Sequence, residues 1–143
     1  LSTQAKDDSV PWFEHPEMGF NYRLSNILAA LGCAQLEGLD ERVAYRREVF
    51  ENYREVYKRQ IGIRWQEEPE KAWSNRWLSV ALLGEGESTP VELASQYAEQ
   101  GIETRPMWKP MHMQEAFKGL PFYGNGVGEK LFVRGICLAN SFE

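Results

Sequence analysis

The chain has 143 residues, enough for about one ordinary domain, and 43% of them are hydrophobic, a normal share for a chain that buries a core. Its 16 lysines and arginines against 21 acidic residues give a formal net charge of −5, which argues against a general nucleic-acid binder because such proteins present a basic surface. No apolar run approaches the roughly 18 residues of a membrane span, and no signal peptide is visible. The sequence therefore predicts a cytoplasmic protein with neither a nucleic-acid nor a membrane partner.

The first 60 residues divide into a polar ribbon and a long helical pattern. Residues 1–24 contain prolines and a cluster of aromatics, which predicts a loop or ribbon that needs a partner surface. Ser25 is a good N-cap, because its hydroxyl can accept from a free amide of the first turn. The helical pattern then runs to about Arg59. Gly32 and Gly38 each cost about 1 kcal/mol in helix propensity, so we expect a bend or two helices.

The two halves of this helical pattern differ in character. Residues 27–36 are apolar on most faces, which indicates a helix buried on several sides, for example in a subunit interface. The second half carries a stripe at steps of three and four, which is typical of an amphipathic helix. Its members are Leu36, Leu39, Val43, Phe50, Tyr53 and Tyr57, with Arg46 interrupting the stripe.

The rest of the chain alternates between strand and helix signals. Strands are predicted over residues 61–68 and 75–83, followed by a helix that Ser88 or Thr89 caps, that Pro90 opens and that Gly101 closes. A third strand is predicted over 102–108, two short helices over 113–117 and 128–135, and a last strand over 136–139. This order predicts an α/β fold in which helices cover a small sheet.

Several motifs have an ordinary structural explanation. GNGVGEK (124–130) resembles a phosphate cradle, but it lacks the preceding strand and the long helix of a dinucleotide fingerprint, which favours a plain turn. WSNRW (73–77) has the aromatics to stack bases, yet core packing plus one salt bridge fits its acidic surroundings better. Cys33 and Cys137 each lie in an apolar context and are predicted to be buried free thiols. The only histidines, His15 and His112, lack a metal-site spacing, so no metal is predicted.

Two sets of polar residues are candidates for anion binding. Asn21 and Arg23 precede a helix N-terminus, which carries free amides and about half a positive charge. An arginine guanidinium and an amide donor suit a phosphate, although the two residues could instead hold the loop against the helix. Arg105, Lys109 and His112 form either a second anion patch or a solvated charged edge, and the pattern alone does not decide between these.

Read together, four segments resemble the DegT/StrS sugar aminotransferases in content, order and interval. They are STQAK (2–6), GFNYRLSN (19–26), AALGCAQLEGLDERV (29–43) and GIETRPMWKPMH (101–112). Within that family, STQAK followed by an aromatic-Glu-His, and SNRWLS (74–79), look most like enzymes that aminate a UDP-linked 4-keto-6-deoxy sugar, as in bacillosamine biosynthesis.

The resemblance implies the C-terminal small-domain portion of a fold-type I aminotransferase that uses pyridoxal 5'-phosphate, takes its amine from glutamate and works as a homodimer. Residues 1–24 would be a cofactor-reaching ribbon and dimer contact, and residues 25–143 one long helix plus a small α/β domain with a mostly antiparallel sheet. Asn21 matches the residue that contacts the phosphate of the partner's cofactor, and Arg23 lies beside it. The substrate-contact candidates near the nucleotide-sugar pocket are Arg105, Trp108, Lys109 and His112.

The resemblance also implies what this chain does not carry. The lysine that binds the cofactor lies upstream of Leu1 in the family order, and Lys6 lies after it. The ending CLANSFE departs from the family, which commonly has CLP, small residues and a final helix. We therefore expect an inactive C-terminal portion of an aminotransferase. The alternative is a non-catalytic interaction or oligomerisation domain of the same fold.

Overall fold

A computed structural model of the chain describes residues 7, 9–86 and 88–141. Lys6 and the rest of STQAK, and the last two residues of CLANSFE, lie outside the described residues. The elements in chain order are α1 (Asn26–Leu36), α2 (Leu39–Val56), β1 (Arg64–Trp65), β2 (Ser79–Leu82), α3 (Pro90–Ala98), β3 (Arg105–Pro106), α4 (Val127–Arg134) and β4 (Gly135–Leu138). Two 3₁₀ turns, Met111–Met113 and Glu115–Phe117, stand where the first short helix was predicted.

The predicted long helix is interrupted and forms two helices, one of the two outcomes that its glycines indicated. Ser25 caps α1, because its hydroxyl oxygen accepts a hydrogen bond from the Leu28 amide at 3.3 Å. Gly38 is the N-cap residue of α2 and separates the two helices, whereas Gly32 lies within α1 without ending it.

The caps of α3 were also predicted correctly. Thr89 forms a capping box with Glu92, Pro90 opens the helix, and Gly101 follows with a φ of +75°. The GNGVGEK segment leads into α4 through Gly126 at a φ of +74°, which agrees with a turn.

The four strands form one sheet in the order β1-β2-β4-β3, and every adjacent pair is antiparallel. β4 lies at the centre of this register, with Cys137 paired to Val80 on one side and Arg105 on the other. Pro106 lies in an edge strand, where its missing amide hydrogen costs least. The predicted α/β architecture with a small antiparallel sheet is confirmed.

The strands are shorter than the sequence pattern indicated. β2 begins only at Ser79, although the pattern extended back to Asn75. The physical reason is Arg76, whose φ of +46° is a left-handed conformation that a strand cannot contain. Trp77, expected within the strand, lies outside it and is 59% exposed.

The core lies on the sheet face that α2 and α3 cover. It contains Ala81, Leu83, Ile136 and Leu138, with Tyr53, Ile63, Trp65, Leu93 and Tyr97 packed against them. Phe50 of α2 is 1% exposed and meets the Trp65 ring edge-on, with 5.8 Å between centroids. The apolar stripe of α2 is therefore confirmed at its central positions.

A buried arginine joins the loop before β2 to this core. Arg76 is 5% exposed; its guanidinium carbon lies 3.8 Å from the centroid of the Phe50 ring and its Nη1 donates to the Gln66 carbonyl at 3.0 Å. Glu68 lies 3.7 Å from Arg76 Nη2 and is bound by both Nη atoms of Arg47, at 3.0 and 3.1 Å. Core packing plus a salt bridge is thus confirmed for the arginine of WSNRW, whereas its two tryptophans are exposed.

The Glu68 carboxylate makes the free energy of unfolding dependent on pH. Hydrogen bonds from Arg47 and from the Ser74 amide outweigh burial and lower the pKa of Glu68 from 4.5 to about 2, with the charge of Arg76 adding to this effect. Because the folded-state pKa lies below the unfolded value of 4.5, the charged carboxylate stabilises the fold above pH 4.5. This stabilisation is lost as pH falls through about 2. We expect Glu68→Gln to lower the free energy of unfolding at neutral pH and to flatten its fall between these two pH values, as measured by urea denaturation at a series of pH values. Glu67→Gln, at an exposed neighbour, is the control, and equal pH profiles for the two variants would contradict the assignment.

The cysteine prediction is half correct. Cys137 is buried in β4, and burial raises the pKa of its thiol to about 11. Cys33 is exposed, contrary to the prediction, because no residue of α1 is buried by the rest of the described chain.

Among the described helices, none combines the length and the apolar character that a membrane span requires.

Candidate functional site

The loop before α1 holds Asn21 and Arg23 in a defined turn. The Asn21 Oδ1 accepts a hydrogen bond from the Arg23 amide at 2.9 Å, and Arg23 has a φ of +58°. A non-glycine residue in this conformation is uncommon and indicates a constrained position. Both side chains are exposed, and within the described part of the chain neither the Asn21 amide nitrogen nor the Arg23 guanidinium has a hydrogen-bond partner.

This arrangement has the donor chemistry for a phosphate. The turn uses only the oxygen of the Asn21 side chain, so the amide nitrogen remains available as a donor beside a guanidinium. α1 begins three residues later, and its first amides have no acceptor inside the helix apart from the cap on Leu28. A guanidinium, a side-chain amide and a helix N-terminus are therefore suitable donors for a phosphate group.

The surface around this loop is apolar and exposed. The large apolar side chains concerned are Met18, Phe20, Tyr22, Leu24, Ile27, Leu28, Leu31 and Leu36. An exposed set of this size, contiguous along the chain, is typical of a protein interaction surface. The prediction that residues 27–36 are buried is wrong for the described chain by itself, because its own residues leave α1 uncovered. Burial of α1 in a subunit interface stays a prediction.

Two of the four substrate candidates line one cleft. Arg105 and Trp108 border a cavity of about 580 Å³ at the end of the sheet, together with Phe13 and Trp77. The Trp108 ring stacks on Phe13 with centroids 5.7 Å apart and planes 9° apart, and its centroid lies 6.0 Å from that of Trp77. Arg105 Nε donates to Glu103 at 2.8 Å, and its guanidinium lies 5.3 Å from the Phe13 centroid. An arginine beside stacked aromatic rings can hold a phosphate and a planar ring.

Lys109 and His112 do not line that cleft, and each has an acidic partner. Lys109 Nζ donates to Glu14, and both side chains are largely buried. His112 Nε2 lies 2.8 Å from Glu129 Oε1, and its ring stacks on Phe122 with centroids 3.6 Å apart. Among the described residues, no place brings together three or more His, Cys, Asp or Glu side chains that could hold a metal ion, and this includes the surroundings of His15 and His112.

Sequence reasoning missed the polar atoms buried in the cleft and the residues that hold the ribbon in place. Arg46 Nε, Thr104 Oγ1 and Asn140 Oδ1 line or approach the cleft, and none has a hydrogen-bond partner within the described chain. Glu14 and Gln114 bind each other's segments across about a hundred residues of sequence. No local motif indicates either feature, because both depend on contacts between distant segments.

Comparison with solved structures identifies the fold. The fold matches PseC of Helicobacter pylori, an aminotransferase involved in the biosynthesis of pseudoaminic acid, with a TM-score of 0.69 and 21% identity over 93% of this chain and 36% of PseC. The described chain therefore has the fold of part of an aminotransferase. Residues 2–140 match the DegT/DnrJ/EryC1/StrS aminotransferase family, and the chain belongs to that family.

Two relatives show how the chain aligns with curated members. The chain is 46% identical over 142 residues to EpsN of Bacillus subtilis, named as a candidate pyridoxal phosphate-dependent aminotransferase. The alignment covers 96% of this chain and 36% of EpsN. The chain is 37% identical over 131 residues to a GDP-perosamine synthase of Caulobacter vibrioides, covering 89% of this chain and 34% of that protein. The chain spans about a third of the length of these relatives.

Proposed function

We propose that this chain is part of a pyridoxal 5'-phosphate-dependent aminotransferase that moves an amino group from glutamate to a UDP-linked 4-keto-6-deoxy sugar. The enzyme would work as a cytoplasmic homodimer. The observation that carries the proposal is the exposed turn at Asn21 and Arg23, which presents phosphate donors outside the chain's own core. Family membership and the name of EpsN support the cofactor and the reaction class.

The position of that turn supports the homodimer. Asn21 and Arg23 lie among exposed apolar residues, immediately before α1. A second copy that covers this surface would bring its cofactor phosphate to these donors. Asn21 and Arg23 would then bind and orient the phosphate, while the bound cofactor's ring supplies the electron sink for amino transfer.

Arg105 and Trp108 are the best-placed candidates for the nucleotide part of the substrate, because they share the 580 Å³ cleft. Trp108 offers an aromatic face for a base or sugar ring, and Arg105 offers a fork for a phosphate. Lys109 and His112 remain weaker candidates, since they do not line this cleft and their pairs with Glu14 and Glu129 are more buried than the exposed pair of Arg105 with Glu103.

The experiment uses the full-length protein that contains this chain, purified with pyridoxal 5'-phosphate. We expect glutamate-dependent amination of a UDP-linked 4-keto-6-deoxy sugar, detected by mass spectrometry, with the GDP-linked sugar aminated at least about tenfold more slowly. Light scattering should give a dimer. A preference for the GDP-linked sugar would overturn the UDP assignment, and cofactor binding without any transfer would favour the non-catalytic interaction domain.

The isolated chain provides a second test. We infer that residues 1–143 alone do not transaminate, because no residue among them matches the family's cofactor-binding lysine. Borohydride treatment of the chain with pyridoxal 5'-phosphate should fix no cofactor to one specific lysine, as judged by peptide mass spectrometry. Stoichiometric labelling of Lys6 would overturn this inference.

A further inference from the structure

We propose that Glu14 and Gln114 are positioning residues, which clamp the ribbon before the Asn21–Arg23 turn onto the segment that carries Arg105 and Trp108. The inference deepens the proposed function and rests on it for the identity of the ligands. The clamp itself is defined by hydrogen bonds between segments that lie about a hundred residues apart in sequence.

Gln114 forms one half of the clamp. Its side chain is 3% exposed and uses both ends of the amide. Oε1 accepts from the His15 amide at 2.7 Å, and Nε2 donates to the carbonyls of Phe13 at 2.9 Å and Lys109 at 3.1 Å. A buried glutamine satisfied in this way fixes the backbone around it, because each lost bond would leave a buried polar group unpaired.

Glu14 forms the other half from the opposite segment. Its Oε1 accepts from the Glu115 amide at 3.2 Å, and its Oε2 accepts from Trp12 Nε1 at 3.0 Å and from Lys109 Nζ. Burial acts to raise the pKa of Glu14, but the hydrogen bonds from Lys109, Trp12 and Glu115 outweigh it, and the pKa is lowered. The carboxylate is therefore charged and fully engaged at neutral pH.

The two halves fix the starting point of the loop that leads to the Asn21–Arg23 turn. Besides the side-chain bonds, the Ala116 amide donates to the His15 carbonyl at 3.2 Å. Asn21 follows His15 by six residues, so the turn lies within about 20 Å of this fixed point. Its other end is fixed by the Ser25 cap of α1. The clamp thereby limits how far the phosphate donors of the loop can lie from the segment that carries Arg105 and Trp108.

The same side chains also hold the segment that contains the cleft residues. Gln114 bonds to the backbone of Lys109, the residue after Trp108, and Glu14 bonds to the Lys109 side chain. Phe13, whose carbonyl accepts from Gln114 Nε2, stacks on Trp108. Loss of the clamp should therefore affect both the cofactor donors and the substrate cleft, although Glu14 and Gln114 belong neither to the Asn21–Arg23 turn nor to the lining of the cleft.

The test is Gln114→Glu in the full-length protein, because this isosteric change replaces the Nε2 donor with an oxygen facing two carbonyls. Gln100→Glu is the matched control, since the exposed Gln100 donates only to a carbonyl within its own helix end. We expect the His15 and Ala116 amides to exchange with deuterium about tenfold faster or more, with β4 amides unchanged. The Kd for pyridoxal 5'-phosphate and the KM for the nucleotide sugar should both rise severalfold.

Three outcomes would overturn the clamp. Unchanged protection at His15 and Ala116 would show that the bonds do not hold the ribbon. Faster exchange throughout β4 would show a general loss of stability instead of local positioning. Local loss of protection with unchanged Kd and KM would show that the ribbon does not position the ligand sites.

A second variant keeps the test decisive if Gln114→Glu does not fold. Glu14→Gln retains the shape of the side chain and removes its charge opposite Lys109, and Lys118→Gln, which breaks an exposed ion pair with Glu115, is its control. The exchange measurement needs no cofactor, so a protein that fails to bind pyridoxal 5'-phosphate would refute the proposed function while the clamp is still judged.

Discussion

Phe50→Ala is expected to lower the free energy of unfolding by about 3–5 kcal/mol, the usual cost of deleting a fully buried phenylalanine ring. The ring is 1% exposed, meets Trp65 edge-on and lies beneath the guanidinium of Arg76. Its loss opens a cavity and also removes the aromatic face on which a buried cation rests. Urea denaturation, followed by tryptophan fluorescence, measures the change.

Two further variants separate these effects. Ile61→Ala deletes an apolar side chain that is 92% exposed, so we expect a change within about 0.5 kcal/mol. Phe50→Leu keeps part of the volume and should cost less than Phe50→Ala, while it still abolishes the contact with Arg76. An effect of Phe50→Ala as small as that of Ile61→Ala would contradict the assignment of Phe50 to the core.

Features set by neighbouring residues could be predicted from the sequence. The Ser25 cap, the division at Gly38 and the Pro90 start depend on backbone chemistry within one helical turn. A small sheet covered by helices followed from the order of strand and helix signals, whereas its antiparallel pairing was expected from the family resemblance.

Features set by contacts between distant segments could not be predicted from the sequence. Arg76 breaks the predicted strand because its side chain is satisfied by Phe50, Gln66 and Glu68, which come from other elements. Cys33 is exposed because nothing in the described chain covers α1, and a sequence pattern cannot tell a core helix from an interface helix.

The candidate site divides along the same line. Asn21 and Arg23 could be identified from their place before a helix cap, since that place has intrinsic anion affinity. The sequence did not reveal that Lys109 is engaged by Glu14, or that Gln114 anchors the ribbon. Both partnerships join segments separated by about a hundred residues, so neither appears in local spacing.

The second large effect concerns cofactor binding by the full-length protein. We expect Asn21→Asp to weaken binding of pyridoxal 5'-phosphate by at least about tenfold, because it places a negative charge where an amide donor faces the phosphate. The variant keeps a side-chain oxygen for the Arg23 amide, so the turn itself is retained. Fluorescence titration of the apoprotein gives the Kd.

Arg23→Lys and Arg59→Gln complete the set. Arg23→Lys keeps the charge but loses the fork, so we expect a severalfold weaker Kd, smaller than the effect of Asn21→Asp. Arg59→Gln removes an exposed positive charge beyond the end of α2 and controls for net charge; its Kd should match that of the unchanged protein. If Asn21→Asp bound the cofactor as tightly as Arg59→Gln, the turn would hold the loop against α1 and would not bind a phosphate. If Arg59→Gln weakened binding as much as Asn21→Asp, the effect would come from net charge and not from the turn.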